Sequence, residues 1–138
     1  MRDFHSLDIW KKSHELTLDV YRVTETFPKN EIFALTSQVR RAAYSIPMNI
    51  AEGCGRKSEA EFCQFLNISS GSASELEYQM LLAHDLGYLD SIAFNQLSEK
   101  VVTVRKMICS FASYASSLKA PKARPRTSKP AESRRPHT

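Results

Sequence analysis

Apolar residues recur along most of this chain at alternating intervals of three and four positions, the spacing that places side chains on one face of an α-helix. The first run contains Ile9, Ser13, Leu16, Val20, Val23 and Phe27. The second contains Leu35, Val39, Ala42, Ile46 and Asn49. Pro28 stops the first run, because a proline disfavours helical backbone in the residue before it. No segment alternates with a period of two, so the pattern predicts helices and no strand.

Two longer runs follow, and local signals mark their ends. The third run contains Phe62, Leu66, Ser69, Ala73, Leu76, Met80 and Ala83, and the fourth Phe94, Leu97, Val101, Val104, Ile108, Phe111, Ala115 and Leu118. Ser58 and Glu61 form a capping box, in which the Ser58 hydroxyl accepts from the Glu61 N–H and the Glu61 carboxylate reaches back. Gly87 suits a left-handed C-cap, and Asp90 or Ser91 caps the fourth helix.

Short connections join the four predicted helices, near residues 28–30, 53–57 and 88–90. Such connections only reverse the chain, so we expect an all-α fold, an up-down-up-down antiparallel four-helix bundle. Pro47 stands inside the second helix, where a proline costs about 3 kcal/mol. That helix therefore either ends near Ser45 and restarts, or kinks at the proline.

The third helix carries a second stripe that points away from its core face: Ile68, Gly71, Glu75, Tyr78, Leu82 and Leu86. The second helix turns Arg41, Ser45, Met48 and Glu52 outward, and the first turns Trp10, Thr17 and Tyr21 to its flank. Gly71 lies in mid-helix, where a glycine costs about 1 kcal/mol of stability relative to alanine. That cost is explained if another backbone approaches closely at this position. We interpret Arg41, Met48, Glu52, Ile68, Gly71, Glu75, Tyr78 and Leu82 as a subunit interface. The alternative is scattered surface apolar residues.

Charge is divided unevenly along the chain. The whole sequence has a net charge of +4, but residues 119–138 hold seven Lys/Arg against one Glu, which leaves residues 1–118 slightly acidic. We predict a folded domain over 1–118 and a disordered basic tail over 119–138. The tail is either an electrostatic arm for nucleic acid or a solubilising extension. Its candidate phosphate contacts are Lys122, Arg124, Arg126, Arg134 and Arg135.

Three of the adjacent basic pairs in the folded part are candidates for specific contacts. Arg56 and Lys57 follow two glycines and precede the N-H groups that begin the third helix, so they form a plausible phosphate contact or simply a solvated turn. Arg105 and Lys106 form a small basic patch, another candidate contact or an ordinary solvated face. For Arg40 and Arg41 we favour pairing with Glu75 or Glu77, on a neighbouring helix or subunit, over contact with RNA.

Most kinds of catalytic and metal site lack the necessary spacing. The three cysteines include no C-x-x-C pair, no Glu has a His three residues on, and the four histidines stand alone. We expect no enzyme, metal, cofactor or small-molecule substrate. The chain has neither an apolar run long enough to span a membrane nor the apolar core of a signal peptide, so we expect a cytoplasmic protein without membrane contact.

The stretch over residues 35–56, LTSQVRRAAYSIPMNIAEGCGR, combines an arginine pair, an internal proline and the run NIAEG. Together with Gly71-Ser72 and Glu75-Leu76-Glu77 it resembles the 23S rRNA intervening-sequence proteins, a bacterial family of four-helix bundle proteins. The resemblance runs from about Phe4 to Leu89. It implies a second helix that continues through a kink, and a closed homo-oligomer, a five-membered ring. It implies no defined activity.

Three functional hypotheses follow. The first is a non-enzymatic homo-oligomer that binds RNA through phosphate contacts of the basic loop and tail. The second is a protein-interaction scaffold or accessory subunit, for example of a reverse transcriptase or a ribosome-associated factor, because accessory proteins of diversity-generating retroelements resemble this family in fold. The third, an enzyme, lacks any convergent catalytic set.

Overall fold

A computed structural model of the chain describes residues 2–119 and contains four α-helices. They are α1 (Asp8–Thr24), α2 (Leu35–Cys54), α3 (Glu59–Asp85) and α4 (Ser91–Lys119). Single 3-10 turns at Phe4–Ser6 and Lys29–Glu31 precede α1 and α2, and this part of the chain contains no strand. Each helix packs on the next, and α4 packs on α1. The prediction of an all-α four-helix bundle is confirmed, whereas the tail candidates at 120–138 lie outside the described residues.

The core consists largely of the apolar positions that the three- and four-residue spacing selected. Side chains with no exposed surface include Val20, Val39, Ile46, Leu66, Leu76, Met80, Val101 and Ile108. Some of these positions are only half-buried, among them Leu35, Asn49, Phe94 and Phe111, and two helix ends differ further. Leu118 is half exposed near the end of α4, so its assignment to the core was wrong. In α1 the buried residue at the last turn is Thr24, while Val23 is half-buried.

Caps define the ends of α3 and the start of α4. The Ser58 hydroxyl accepts from the Glu61 N–H at 3.1 Å, as predicted, but the described residues show no return bond from the Glu61 carboxylate. Gly87 has a φ of 84°, and its N–H donates to His84 while the Tyr88 N–H donates to Ala83, the Schellman arrangement. Asp90 caps α4, because its carboxylate accepts from the Ala93 N–H at 2.8 Å.

Helix α2 runs without interruption through Pro47, so an end near Ser45 is excluded; the kink stays a prediction. Proline has no N–H, and the Ala43 carbonyl therefore loses its helical partner four residues on. The Thr17 hydroxyl of α1 lies 3.1 Å from that carbonyl oxygen and 2.8 Å from the Ser13 carbonyl oxygen. Thr17 is buried, so its placement on an outer flank was wrong. Its one proton is shared between these two carbonyls, so the group that the proline orphans receives a bifurcated hydrogen bond.

The other side of α2 meets α3 through small residues. The Ser69 hydroxyl donates to the Ile46 carbonyl at 2.9 Å, and the Ser45 and Ser72 hydroxyls lie 2.8 Å apart. Gly53 belongs to α2 rather than to the following connection, and a Cβ there would lie 2.9 Å from the Cβ of Phe65. The glycine therefore allows the two helices to approach closely, which differs from the phosphate-binding role considered for this segment.

Candidate nucleic-acid and subunit interfaces

The connection between α2 and α3 carries the predicted phosphate contact, Arg56 and Lys57. Arg56 donates to the carboxylate of Glu52 at 2.7 Å, and Lys57 is exposed. Glu59 and Glu61 occupy the first turn of α3, where their negative charge already complements the helix N-terminus. Arg2 also pairs with Glu59, so three cations face three carboxylates here. This balance favours the solvated turn over a strong phosphate site at the connection alone.

Arg2 fastens the N-terminal segment to the same end of the bundle, and we call its contacts the N-terminal latch. These contacts were not predicted from the sequence. The Arg2 backbone N–H donates to the Cys54 carbonyl at 3.0 Å, and its guanidinium pairs with Glu59 at 3.0 Å. The guanidinium carbon also lies 4.1 Å from the centre of the Phe62 ring, a cation–π distance. Burial raises the pKa of the Cys54 thiol, which disfavours its reactive thiolate.

Arg105 and Lys106 lie away from the end of the bundle that carries Arg56 and Lys57. Arg105 donates to Glu77 at 3.2 Å, and Glu77 lies eighteen residues along α3 from Glu59, about 27 Å by helical rise. Lys106 faces a different feature, an open groove of about 780 Å³ between the start of α1 and α4, whose apolar lining includes Leu7, Met107, Phe111 and Tyr114. The basic pairs of the folded part are therefore dispersed.

The two arginines of the pair Arg40–Arg41 have different surroundings. Arg40 donates to the Thr24 hydroxyl at 2.8 Å and to the Tyr21 carbonyl at 3.3 Å, and its guanidinium carbon lies 4.7 Å from the centre of the Tyr21 ring. Arg40 thus caps the C-terminus of α1. The prediction that it pairs with Glu75 or Glu77 on a neighbouring helix of the same chain is wrong, whereas pairing with a neighbouring subunit stays a prediction. Arg41 and Glu75 are both exposed.

The end that carries the latch is also the end from which the basic tail continues. The Cys63 thiol, in the second turn of α3, lies 3.8 Å from the Ala112 carbonyl oxygen near the end of α4. The two helices are antiparallel, so α4 ends at the same end of the bundle as the connection that contains Arg56. The candidate contacts Lys122, Arg124, Arg126, Arg134 and Arg135 follow Lys119 and lie outside the described residues.

The outer surface of α2 and α3 holds the predicted interface residues. Met48, Ile68 and Tyr78 are 54%, 49% and 61% exposed, and the Ser45–Ser72 hydrogen bond places Met48 level with Ile68. The remaining members are exposed except for the half-buried Leu82: Arg41, Glu52, Gly71, Glu75 and Leu82. No described atom lies within 4 Å of a Cβ built on Gly71. The chain itself gives no reason for this glycine.

Residues 2–119 contain no group of three or more His, Cys, Asp or Glu side chains placed to hold a metal ion. The histidines have other neighbours, since His5 bonds to Asp3, His14 stacks on Trp10 and His84 stacks on Phe94. Within the same range, no helix has the length and apolar character to cross a bilayer.

Comparison with known proteins identifies the relatives of this bundle. A family model described as 23S rRNA-intervening sequence protein matches residues 5–110. One similar solved structure is a protein of unknown function from the S23 ribosomal protein family of Bacteroides thetaiotaomicron, 24% identical, covering 76% of this chain and 95% of that chain with a TM-score of 0.71. No curated protein matches, and neither description names an enzyme. The chain belongs to the 23S rRNA-intervening sequence protein family.

Proposed function

We propose that this protein is a non-enzymatic homo-oligomer that binds RNA through phosphate contacts of the basic segment beyond Lys119. The observation that carries the proposal is the segregation of charge. In the folded part, Arg2, Arg56 and Arg105 each pair with a glutamate. Residues 119–138 hold seven cations and one carboxylate, so little within the segment competes with phosphate. The family description, which refers to intervening sequences of 23S rRNA, makes RNA the first ligand to test.

Oligomerisation strengthens such a contact. Several tails on one assembly bind one RNA with a raised effective concentration, so a weak contact per chain yields a tight complex. The exposed surface of α2 and α3 is the interface that we propose, and a ring of five is the form that the family resemblance implies. A cytoplasmic location fits this role.

Truncation after Leu118 tests the RNA proposal. We expect RNA affinity to fall at least tenfold at low salt, because seven cations are removed, and the dependence on salt concentration to become shallower. The measurement is a fluorescence titration of labelled RNA at about 50 and 200 mM salt. As a control, Arg56→Gln should change affinity less than the truncation, since Glu52 already neutralises that guanidinium. Equal affinity of the truncated and full-length proteins would refute the role of the tail.

Substitution of Ile68 by arginine tests the subunit interface. We expect the mass from light scattering to fall toward that of a monomer, because the new charge is buried against a neighbour without a partner. Leu18→Arg is the matched control, since Leu18 is 42% exposed, close to the 49% of Ile68, but lies on α1. If both variants keep the mass of the parent protein, the interface lies elsewhere.

A second function has one observation in its favour. The groove between α1 and α4 is open and largely apolar, which suits apolar side chains of a protein partner better than RNA phosphates. An assembly that binds no RNA at either salt concentration would favour the scaffold, as an accessory subunit of a reverse transcriptase or a ribosome-associated factor.

A further inference from the structure

Four large apolar side chains lie in solvent at the end of the bundle opposite the latch. Phe33 is 95% exposed, Ile92 73%, and Ile32 and Leu86 each 50%. Ile32 and Phe33 belong to the connection between α1 and α2, and Leu86 and Ile92 flank the connection between α3 and α4. We call these four residues the apolar tip. Together they present on the order of several hundred Å² of apolar surface, comparable with the largest apolar patch of a typical soluble monomer, which is often functional.

Contacts beneath the tip hold the two connections together. The Tyr88 hydroxyl donates to the Glu31 carboxylate at 2.7 Å, and the second oxygen of that carboxylate accepts from the Leu35 N–H at 3.2 Å. The Phe27 and Tyr88 rings lie 5.5 Å apart, centre to centre. The bond to Glu31 also raises the pKa of the Tyr88 hydroxyl, which keeps the donor protonated. The backbone of the two connections that form the tip is therefore held in place before a partner binds. Binding then costs little conformational entropy for ordering it.

Charge around the tip selects the kind of partner. At this end of residues 2–119, the acidic residues Glu25, Glu31, Asp85 and Asp90 lie in or next to the two connections, against the cations Lys29 and Arg40, which gives a net charge of −2. An anionic membrane surface is repelled by such a rim, and so is a second tip with the same charge. The chain's own basic tail contains no aliphatic residue larger than alanine to fill an apolar site.

The position of the tip separates it from the proposed subunit interface. Residues such as Met48 and Ile68 face sideways from α2 and α3, whereas the tip projects along the helix axes. Lateral packing of parallel subunits, as in a ring, would leave the tips on one face of the assembly and the C-terminal ends of α4 on the opposite face.

We propose that the apolar tip is a docking site for a protein segment that presents apolar anchors flanked by lysine or arginine, such as a basic amphipathic helix. Phe33 is the main anchor, since large aromatic side chains dominate interfaces of this kind. The acidic rim speeds encounter and excludes acidic partners. The 27 residues of α3 span about 40 Å, so the tip lies that far from the end of the bundle at which α4 ends.

A synthetic peptide tests the proposal on the full-length protein. The probe is an 18-residue helix with leucine on one face and lysine on the other, and its binding is followed by fluorescence anisotropy. We expect Phe33→Ser to weaken binding at least tenfold, while Leu118→Ser, a half-exposed leucine at the opposite end, leaves it unchanged. The same peptide with glutamate in place of lysine should bind at least tenfold more weakly. RNA titration of Phe33→Ser should match the parent, which separates this site from the proposed function.

Four outcomes would overturn the proposal. One is no binding of the lysine peptide, and another is equal binding by the Phe33→Ser and Leu118→Ser variants. A fall in oligomer mass for Phe33→Ser would assign the tip to a second copy of the chain. Sedimentation of the parent protein, but not of Phe33→Ser, with phosphatidylglycerol vesicles would assign it to a lipid surface.

Discussion

Replacing Gly53 with alanine is expected to lower the free energy of unfolding by about 2 kcal/mol. A Cβ at this position would lie 2.9 Å from the Cβ of Phe65 and 3.2 Å from a ring carbon of Phe62. The nearer atom is attached to the backbone of α3 and cannot rotate away, so the helices must separate. Overpacking of this kind costs up to about 3 kcal/mol, and the better helix propensity of alanine returns about 1 kcal/mol. Urea denaturation followed by circular dichroism measures the difference.

The matched control is the same substitution at Gly71. Gly71 lies inside α3 with helical backbone, and a Cβ there would meet no described atom within 4 Å. Gly71→Ala should raise stability by about 0.5–1 kcal/mol when the protein is monomeric. A fall in oligomer mass for Gly71→Ala would show that a neighbouring backbone comes close at this position. If Gly53→Ala proved as stable as Gly71→Ala, the close approach of α2 and α3 would be refuted.

Replacing Thr17 with valine is expected to cost about 2 kcal/mol, although the two side chains have nearly the same shape. Pro47 leaves the Ala43 carbonyl without a helical donor, and the Thr17 hydroxyl, which also lies 2.8 Å from the Ser13 carbonyl, reaches it at 3.1 Å. Without that hydroxyl the buried acceptor is unsatisfied, a penalty of about 1–3 kcal/mol. Thermal or urea denaturation of the variant measures the loss.

Two further variants isolate the cause. Thr103→Val makes the same chemical change at an exposed position of α4 and should alter stability by no more than about 0.5 kcal/mol. In a Pro47→Ala background the restored N–H can reach Ala43, so Thr17→Val should cost less there than in the parent protein. Equal costs in both backgrounds would contradict the link between Thr17 and the proline.

Local features of the bundle could be predicted because their causes are local. The spacing of apolar residues decides which face of each helix is buried, and the cap at Ser58 and the turn at Gly87 depend on neighbours within a few residues. Thr17 shows where this reasoning stops. On a helical wheel of α1, Thr17 lies at the edge of the apolar face, which predicts a partly exposed side chain. The hydroxyl is buried against Ala43 only because α2 packs beside it.

From the sequence, the candidate site could be predicted only as a set of charged positions, without their partners. The sequence shows that Arg40, Arg56 and Arg105 are cations, but their partners depend on which side chains the packed helices bring within reach. Arg40 meets the end of α1, and Arg105 meets Glu77 across α3 and α4. The apolar tip was missed for a related reason. Ile32 and Phe33 fall in a connection, where helical periodicity says nothing about exposure.

The bond between Thr17 and Ala43 has a consequence for the evolution of the family. The bond that the hydroxyl at position 17 makes to Ala43 stabilises the fold more while position 47 lacks an N–H than when an N–H is present there. A relative that replaces the proline is released from the need for threonine, and one that keeps the proline without a hydroxyl must find another donor for the carbonyl. The two positions, thirty residues apart and on different helices, should therefore change together across related sequences.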